Sequence, residues 1–270
     1  MSLISDGEGE GNSSYPDWKG ALKLSFYLVV LHLLAGMIMG FIWDYISPAF
    51  PPLWFTGLGG MIANIFVIRY AMSRGDLNPA GRLGVMIGDL TAYLATIILV
   101  FSASIIFSQA VNVLRVFVEA EFYQEIVQAM REENILMIMI VLVILPALLE
   151  EIIFRGIIMR GLIYNHGFKF ALLFSSLLFS LVHFNLIQGF SAFFMGLVLG
   201  WLYWRYNSLL IPIIAHGFNN FLAVIFNRRF YIPGYSFAEE VVFQPLGFTL
   251  LGIVLFILGI YLVYRNSRMV

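Results

Sequence analysis

ILMIMIVLVILPALLEEIIFR, residues 135–155, is free of polar side chains from Ile135 to Leu149 and then sets Glu150, Glu151 and Arg155 within little more than one helical turn. An apolar run of about 20 residues is what a helix needs to cross the hydrocarbon core of a bilayer. Ionisable groups in such a run are costly, and their presence points to function. The whole chain has the same character: it is 61% hydrophobic and 11% charged over 270 residues, with a mean hydropathy of +0.90. A soluble domain carries roughly 25% charged residues. The sequence therefore reads as an all-α, polytopic membrane protein.

Working outward, eight segments approach spanning length: 21–44, 53–72, 84–108, 135–160, 168–187, 189–204, 209–227 and 243–264. The sixth is the shortest, and only NLIQG (185–189) parts it from the fifth. Residues 1–20 are polar, acidic and lack a signal-peptide pattern, so they read as a disordered tail ahead of one transmembrane domain at 21–270. Orientation follows from Lys and Arg in the connections. With the N-terminus in the cytoplasm, the inside set is Lys19, Lys23, Arg69, Arg74, Arg82, Arg155, Arg160, Lys169, Arg205, Arg265 and Arg268, against Arg115, Arg131, Arg228 and Arg229 outside. Both termini are thus expected inside, which requires the even number of spans found.

The longest connection, 111–134, repeats apolar residues at Val111, Leu114, Val118, Phe122, Ile126 and Met130, the spacing of a helix lying in the membrane interface. Small residues four apart, Gly36/Gly40, Gly84/Gly88 and Ala192/Gly196/Gly200, are candidate helix contacts. Cysteine is absent, and no basic cluster interleaved with aromatics suggests nucleic acid as a partner.

Ionisable groups inside spans are few: His32, Asp89, Glu150, Glu151, Arg155, His183 and His216. Glu151 and Arg155, four apart with the acid first, suit an ion pair on one helix face. Glu150 lies roughly 100° around the helix, so it is left without that counter-ion and is suited to taking and returning a proton. Pro146 should kink the span one turn earlier. His216 and Asn220, one turn apart, can both donate to a developing oxyanion, with Asn219 an alternative. Phe179, one turn before His183, should flank that imidazole. Counted at 1.5 Å per residue from the inner ends, Glu150 lies roughly 15 to 20 Å deep, His183 roughly 20 Å and His216 roughly 12 to 18 Å, levels at which they could meet. Singly, each feature would equally be a buried ion pair or an interhelical hydrogen bond. His32 reads as a core histidine bonded to a carbonyl or water, Asp89 is given no role, and His166 is expected to face solvent.

Glu150-Glu151-x-x-x-Arg155, Phe179-x-x-x-His183 and His216-x-x-x-Asn220, in this order on successive apolar helices, resemble the motifs of the CAAX prenyl endopeptidase family, also called the CAAX protease and bacteriocin-processing (Abi) family. The resemblance covers about 135–227. It implies an eight-helix intramembrane protease in which Glu150 and His183 activate water and His216 and Asn220 bind the tetrahedral intermediate. Glu151, Arg155 and Phe179 would support them. No cofactor is expected to be required. The alternative is zinc, because one Glu with two His is also the ligand set of a catalytic zinc. Asn220 is a poor zinc ligand and a good oxyanion donor, which favours the metal-free reading.

The substrate implied is a membrane-proximal or lipidated, CAAX-like peptide, the other partner is the lipid bilayer, and the site is expected to be reached from the cytoplasmic side of the cell membrane. Two other classes use similar residues. A proton-coupled transporter would also bury Glu, His and Arg, but no inverted repeat or pair of interrupted helices is evident. A non-catalytic immunity protein would keep the fold, yet none of the motifs is degraded.

Overall fold

The computed structural model describes residues 15–46, 52–74 and 89–267. The tail residues 1–14, the Gly84/Gly88 pair, Arg82 and Arg268 lie outside the described residues. The described chain is all-helical, with nine helices: α1 (Trp18–Ile46), α2 (Pro52–Arg74), α3 (Leu90–Arg115), α4 (Glu121–Glu132), α5 (Ile135–His166), α6 (Phe168–Leu181), α7 (Leu186–Tyr206), α8 (Leu210–Arg228) and α9 (Leu246–Asn266). Seven of them, all but α4 and α6, are long and apolar enough to cross a membrane. The short member of the expected eight is thus the fifth segment, not the sixth. Helix α6 has 14 residues and stops at Leu181, because Phe184 turns the chain with φ 51° and Asn185 caps α7 by accepting from the Gln188 N–H at 2.9 Å.

Two further boundaries move. Helix α1 begins at Trp18, inside the stretch assigned to the tail. Helix α3 continues through Arg115, where the sequence reading ended the span at 108. The expected interface helix over 111–134 is consequently split: Val111 and Leu114 complete α3, and a separate α4 starts at Glu121. Asp89 stands exposed at the N-terminal edge of α3 instead of inside a span.

Packing follows the small residues only in part. A Cβ on Gly196 would sit 3.1 Å from Ser176, and one on Gly200 only 2.7 Å from Leu172, so this stripe of α7 lies directly on α6. Gly36 and Gly40 meet nothing within 4 Å. Helix α9 instead approaches α3 through Gly252 and Gly259, the latter with a Cβ position 2.7 Å from the Leu99 backbone. Large apolar side chains such as Phe26, Phe41, Val254 and Ile257 cover the outer faces of α1 and α9, as lipid-facing surfaces require.

The bundle has two distinct ends. Arg205 of α7 bonds the Tyr264 carbonyl in the last turn of α9 and the Ser267 hydroxyl just past it, and Asn165 bonds the Pro16 carbonyl, joining the Lys- and Arg-rich ends. At the opposite end arginines close the connections through carbonyl oxygens: Arg131 bonds Asn227 and Phe237, and Arg228 bonds Met130, Arg131 and Glu133.

Candidate active site

Helix α5 is not a uniform α-helix. Its ladder widens to π geometry at Met139–Ile144 and Ile152–Met159, on either side of the α-helical stretch Leu145–Glu151 that carries Glu150 and Glu151. Such π segments are rare and cluster at functional sites. Pro146 lies between them, and the carbonyl an α-helix would pair with the missing N–H at that position belongs to Leu142. Asn220 of α8 supplies the partner, donating from Nδ2 to the Leu142 oxygen at 3.1 Å.

Behind the site lies a buried charge cluster. Glu151 is 0% exposed and Arg155 1%. Arg155 Nη1 donates to Glu151 Oε1 at 2.7 Å, and Nη2 donates to the Gly196 carbonyl at 3.1 Å. The same Glu151 Oε1 lies 2.8 Å from His216 Nδ1. A carboxylate oxygen accepts only, so Nδ1 carries the proton and Nε2 is left facing forward. Glu151 therefore does more than balance Arg155: it fixes the orientation of the imidazole on α8, a link the spacing Glu151-x-x-x-Arg155 alone does not contain. Glu151 Oε2 and Arg155 Nε have no hydrogen-bond partner.

Phe179 is the hub of the aromatic contacts. Its ring stands edge to face with His183 at 5.1 Å and with His216 at 5.8 Å, and the Arg155 guanidinium lies 4.7 Å from its centre. His183 is tethered by Nδ1 to the Phe179 carbonyl at 2.7 Å, which again leaves Nε2 as the free nitrogen. His216 Nε2 is 4.0 Å from Glu150 Oε2. Glu150, Phe179, His183, His216, Asn219 and Asn220 all line one cavity of about 370 Å³. Glu151 and Arg155 do not line it. His32 stands apart on α1, its side chain exposed and not in a core, bonded to the Leu28 carbonyl and to Asn64. His166 is exposed at the end of α5.

A glutamate and two histidines with outer contacts to a carboxylate and a carbonyl form a donor set chemically suited to zinc. Among the described residues, however, no three His, Asp or Glu side chains stand close enough together to hold a metal ion. No step is therefore routed through one.

The cavity extends well beyond these residues. It continues along the C-terminal half of α3 through Ser104, Asn112 and Arg115, reaches Tyr123 of α4 and Gln188 of α7, and meets Tyr235–Phe237 of the last connection. Hydropathy ends the third span at 108 and leaves Arg115 as an outer loop charge, so this half has no signal in the sequence. It also bears on access. The cavity lies next to the 116–134 and 229–245 connections, away from the Lys- and Arg-rich end. Most of its lining residues outside the motifs belong to the ends of the helices at these connections.

Residues 132–222 match the family described as Type II CAAX prenyl endopeptidase Rce1-like. The chain is also similar to the "Putative membrane peptidase YdiL" of Bacillus subtilis (strain 168), with 39% identity over 89 residues, covering 33% of this chain and 36% of that protein. The aligned part is thus about a third of the length of this curated relative. No solved structure matches the chain. Glu150, Glu151, Arg155, Phe179, His183, His216 and Asn220 all lie inside the segment, about a third of the chain, that is similar to the type II CAAX prenyl endopeptidase Rce1-like family.

Proposed function

We propose that the protein is an intramembrane endopeptidase that hydrolyses a peptide bond by a glutamate- and histidine-activated water. The observation that carries this reading is the meeting of Glu150 on α5, His183 in the turn after α6, and His216 and Asn220 on α8 around one cavity. Glu150 takes a proton from water as the oxygen attacks the scissile carbonyl carbon, and returns it to the departing amine. His183, tethered through Nδ1, accepts a hydrogen bond from the same water at Nε2 and holds it in place.

The tetrahedral oxyanion needs donors. Asn220 spends one amide N–H on the Leu142 carbonyl and keeps a second, since its side chain has two. His216 donates from Nε2 once that nitrogen is protonated, and the Glu151 carboxylate on Nδ1 compensates the resulting imidazolium. Arg155 holds the Glu151 carboxylate in place. The substrate class is a membrane-proximal or lipidated, CAAX-like peptide, and no metal takes part.

The test is Glu150→Gln, which keeps the shape and removes the base. Purified parent and variant should show the same thermal unfolding, while peptide cleavage disappears in the variant. Cleavage by the Gln variant at the parent rate would remove Glu150 from the chemistry.

A further inference from the structure

At the Lys- and Arg-rich end, outside the cavity lining, α1 and α2 carry a group of side chains that the hydrolytic chemistry does not use. Tyr27 of α1 and Tyr70 of α2 meet edge to face with ring centres 5.2 Å apart. A cation lies over each ring: Lys23 Nζ is 5.5 Å from the centre of Tyr27, and the Arg74 guanidinium is 5.3 Å from that of Tyr70. Lys23 also donates to both phenol oxygens. Tyr70 is thus touched by two cations from different helices, one at its hydroxyl and one at its ring.

A third phenol completes the group. Tyr15, just ahead of α1, is held in place because the next residue, Pro16, accepts from Asn165 Nδ2 at 3.4 Å and packs on Gly161, where no Cβ would fit. The Tyr15 hydroxyl is buried and has no hydrogen-bond partner. Burial, with the Tyr70 phenol nearby, pushes it up to about 12, so it keeps its proton and can donate. A buried hydroxyl without a partner points to a missing acceptor. Acids do not fill that place. Neither Lys23 nor Arg74 forms an ion pair among the described residues, and Asp17, the carboxylate next to Tyr15 and Pro16 in sequence, spends Oδ1 on the Gly20 N–H at 2.8 Å.

The surroundings select the anion. Lys23 lies in the second turn of α1 and Arg74 is the last residue of α2, the level at which a pair of spanning helices meets lipid headgroups. Deeper along the same helices Phe26 and Phe66 are exposed, a surface suited to acyl chains. A guanidinium stacked on a ring keeps its N–H edge for phosphate oxygens, and an ammonium binds phosphate as a point charge.

We propose that Lys23, Arg74, Tyr15, Tyr27 and Tyr70 bind the phosphodiester of an anionic membrane phospholipid, whose acyl chains lie over Phe26 and Phe66. Free phosphate shares the headgroup chemistry, but the exposed apolar surface beside the cations commits the site to a lipid. The site stands whether or not the chain hydrolyses peptides.

The test is native mass spectrometry of the full chain released from a neutral detergent, with dilauroyl phosphatidylglycerol and dilauroyl phosphatidylcholine titrated separately. Two cations at the headgroup should favour the anionic lipid by about 30-fold. Lys23→Gln/Arg74→Gln should bring phosphatidylglycerol to within about threefold of phosphatidylcholine. Lys169→Gln/Arg265→Gln, which removes two exposed cations on other helices, should leave both affinities unchanged. Tyr15→Phe should weaken phosphatidylglycerol by about tenfold, the loss of one hydrogen bond to a charged group. Equal affinity of the parent for the two lipids would overturn the proposal, and that comparison needs no variant to fold. An equal loss in both double variants would overturn the site, since the preference would then belong to overall charge. Displacement of bound phosphatidylglycerol by millimolar inorganic phosphate would overturn the assignment to a lipid.

Discussion

Removing Glu151 should cost this protein more stability than removing any charge on its surface. Its carboxylate is 0% exposed and stands between Arg155 at 2.7 Å and His216 at 2.8 Å. Two charges about 4 Å apart attract by roughly 4 kcal/mol at an effective dielectric of about 20, most of which offsets the cost of burying them. The pair's net worth is therefore small, but breaking it strands a charge, which costs about 3 to 5 kcal/mol. Glu151→Leu leaves Arg155 with only the Gly196 carbonyl and the Phe179 ring, and Arg155→Met leaves the carboxylate with only His216. Glu151→Leu/Arg155→Met leaves neither charge. Each single variant should lose about 3 to 5 kcal/mol in reversible unfolding in mixed micelles, and the double variant clearly less than their sum, by about 3 kcal/mol. Additive losses, or single losses under about 1 kcal/mol, would show that the two side chains are not a coupled buried pair.

Other outcomes follow from the same geometry. Asn220→Ala should lower turnover by roughly 10²-fold, and it should also destabilise by about 1 to 3 kcal/mol because the Leu142 carbonyl is left unpaired; a loss of turnover without a shift in unfolding would mean that the bond at 3.1 Å is not made. Gly259→Ala, whose Cβ would press on the Leu99 backbone at 2.7 Å, should destabilise by about 1 to 3 kcal/mol, whereas Gly36→Ala, which meets nothing within 4 Å, should be silent. Cleavage should survive exhaustive chelation with its rate unchanged; loss on chelation and recovery with zinc would replace the water-activation scheme with a metal-dependent one.

Most spans, and the polar groups set in apolar surroundings, were legible from the sequence because lipid imposes its penalty residue by residue. A glutamate at 150 or a histidine at 216 in apolar surroundings is costly wherever the helix sits, so its functional weight can be read without coordinates. Helix α6 and the true end of α3 were not legible in this way. Hydropathy runs on through Val182 and His183, and only the turn at Phe184 ends the helix. At the end of α3, Arg115 bonds carbonyls of the 229–245 connection, a contact no local pattern announces.

What surrounds each glutamate was set by tertiary structure. Glu150 and Glu151 are chemically identical neighbours, and the sequence ranks them only by the distance to Arg155. It is the approach of α8 that sets His216 on the Glu151 oxygen and leaves Glu150 lining the cavity. The cations Lys23 and Arg74 were likewise visible as letters and not as a site, since a cation's need for an anion depends on what surrounds it in space. Sequence determined that this chain buries acids, imidazoles and arginines in a bilayer. Only the packing of helices determined which of them face each other, because side-chain partners lie on different helices whose spacing no local pattern encodes.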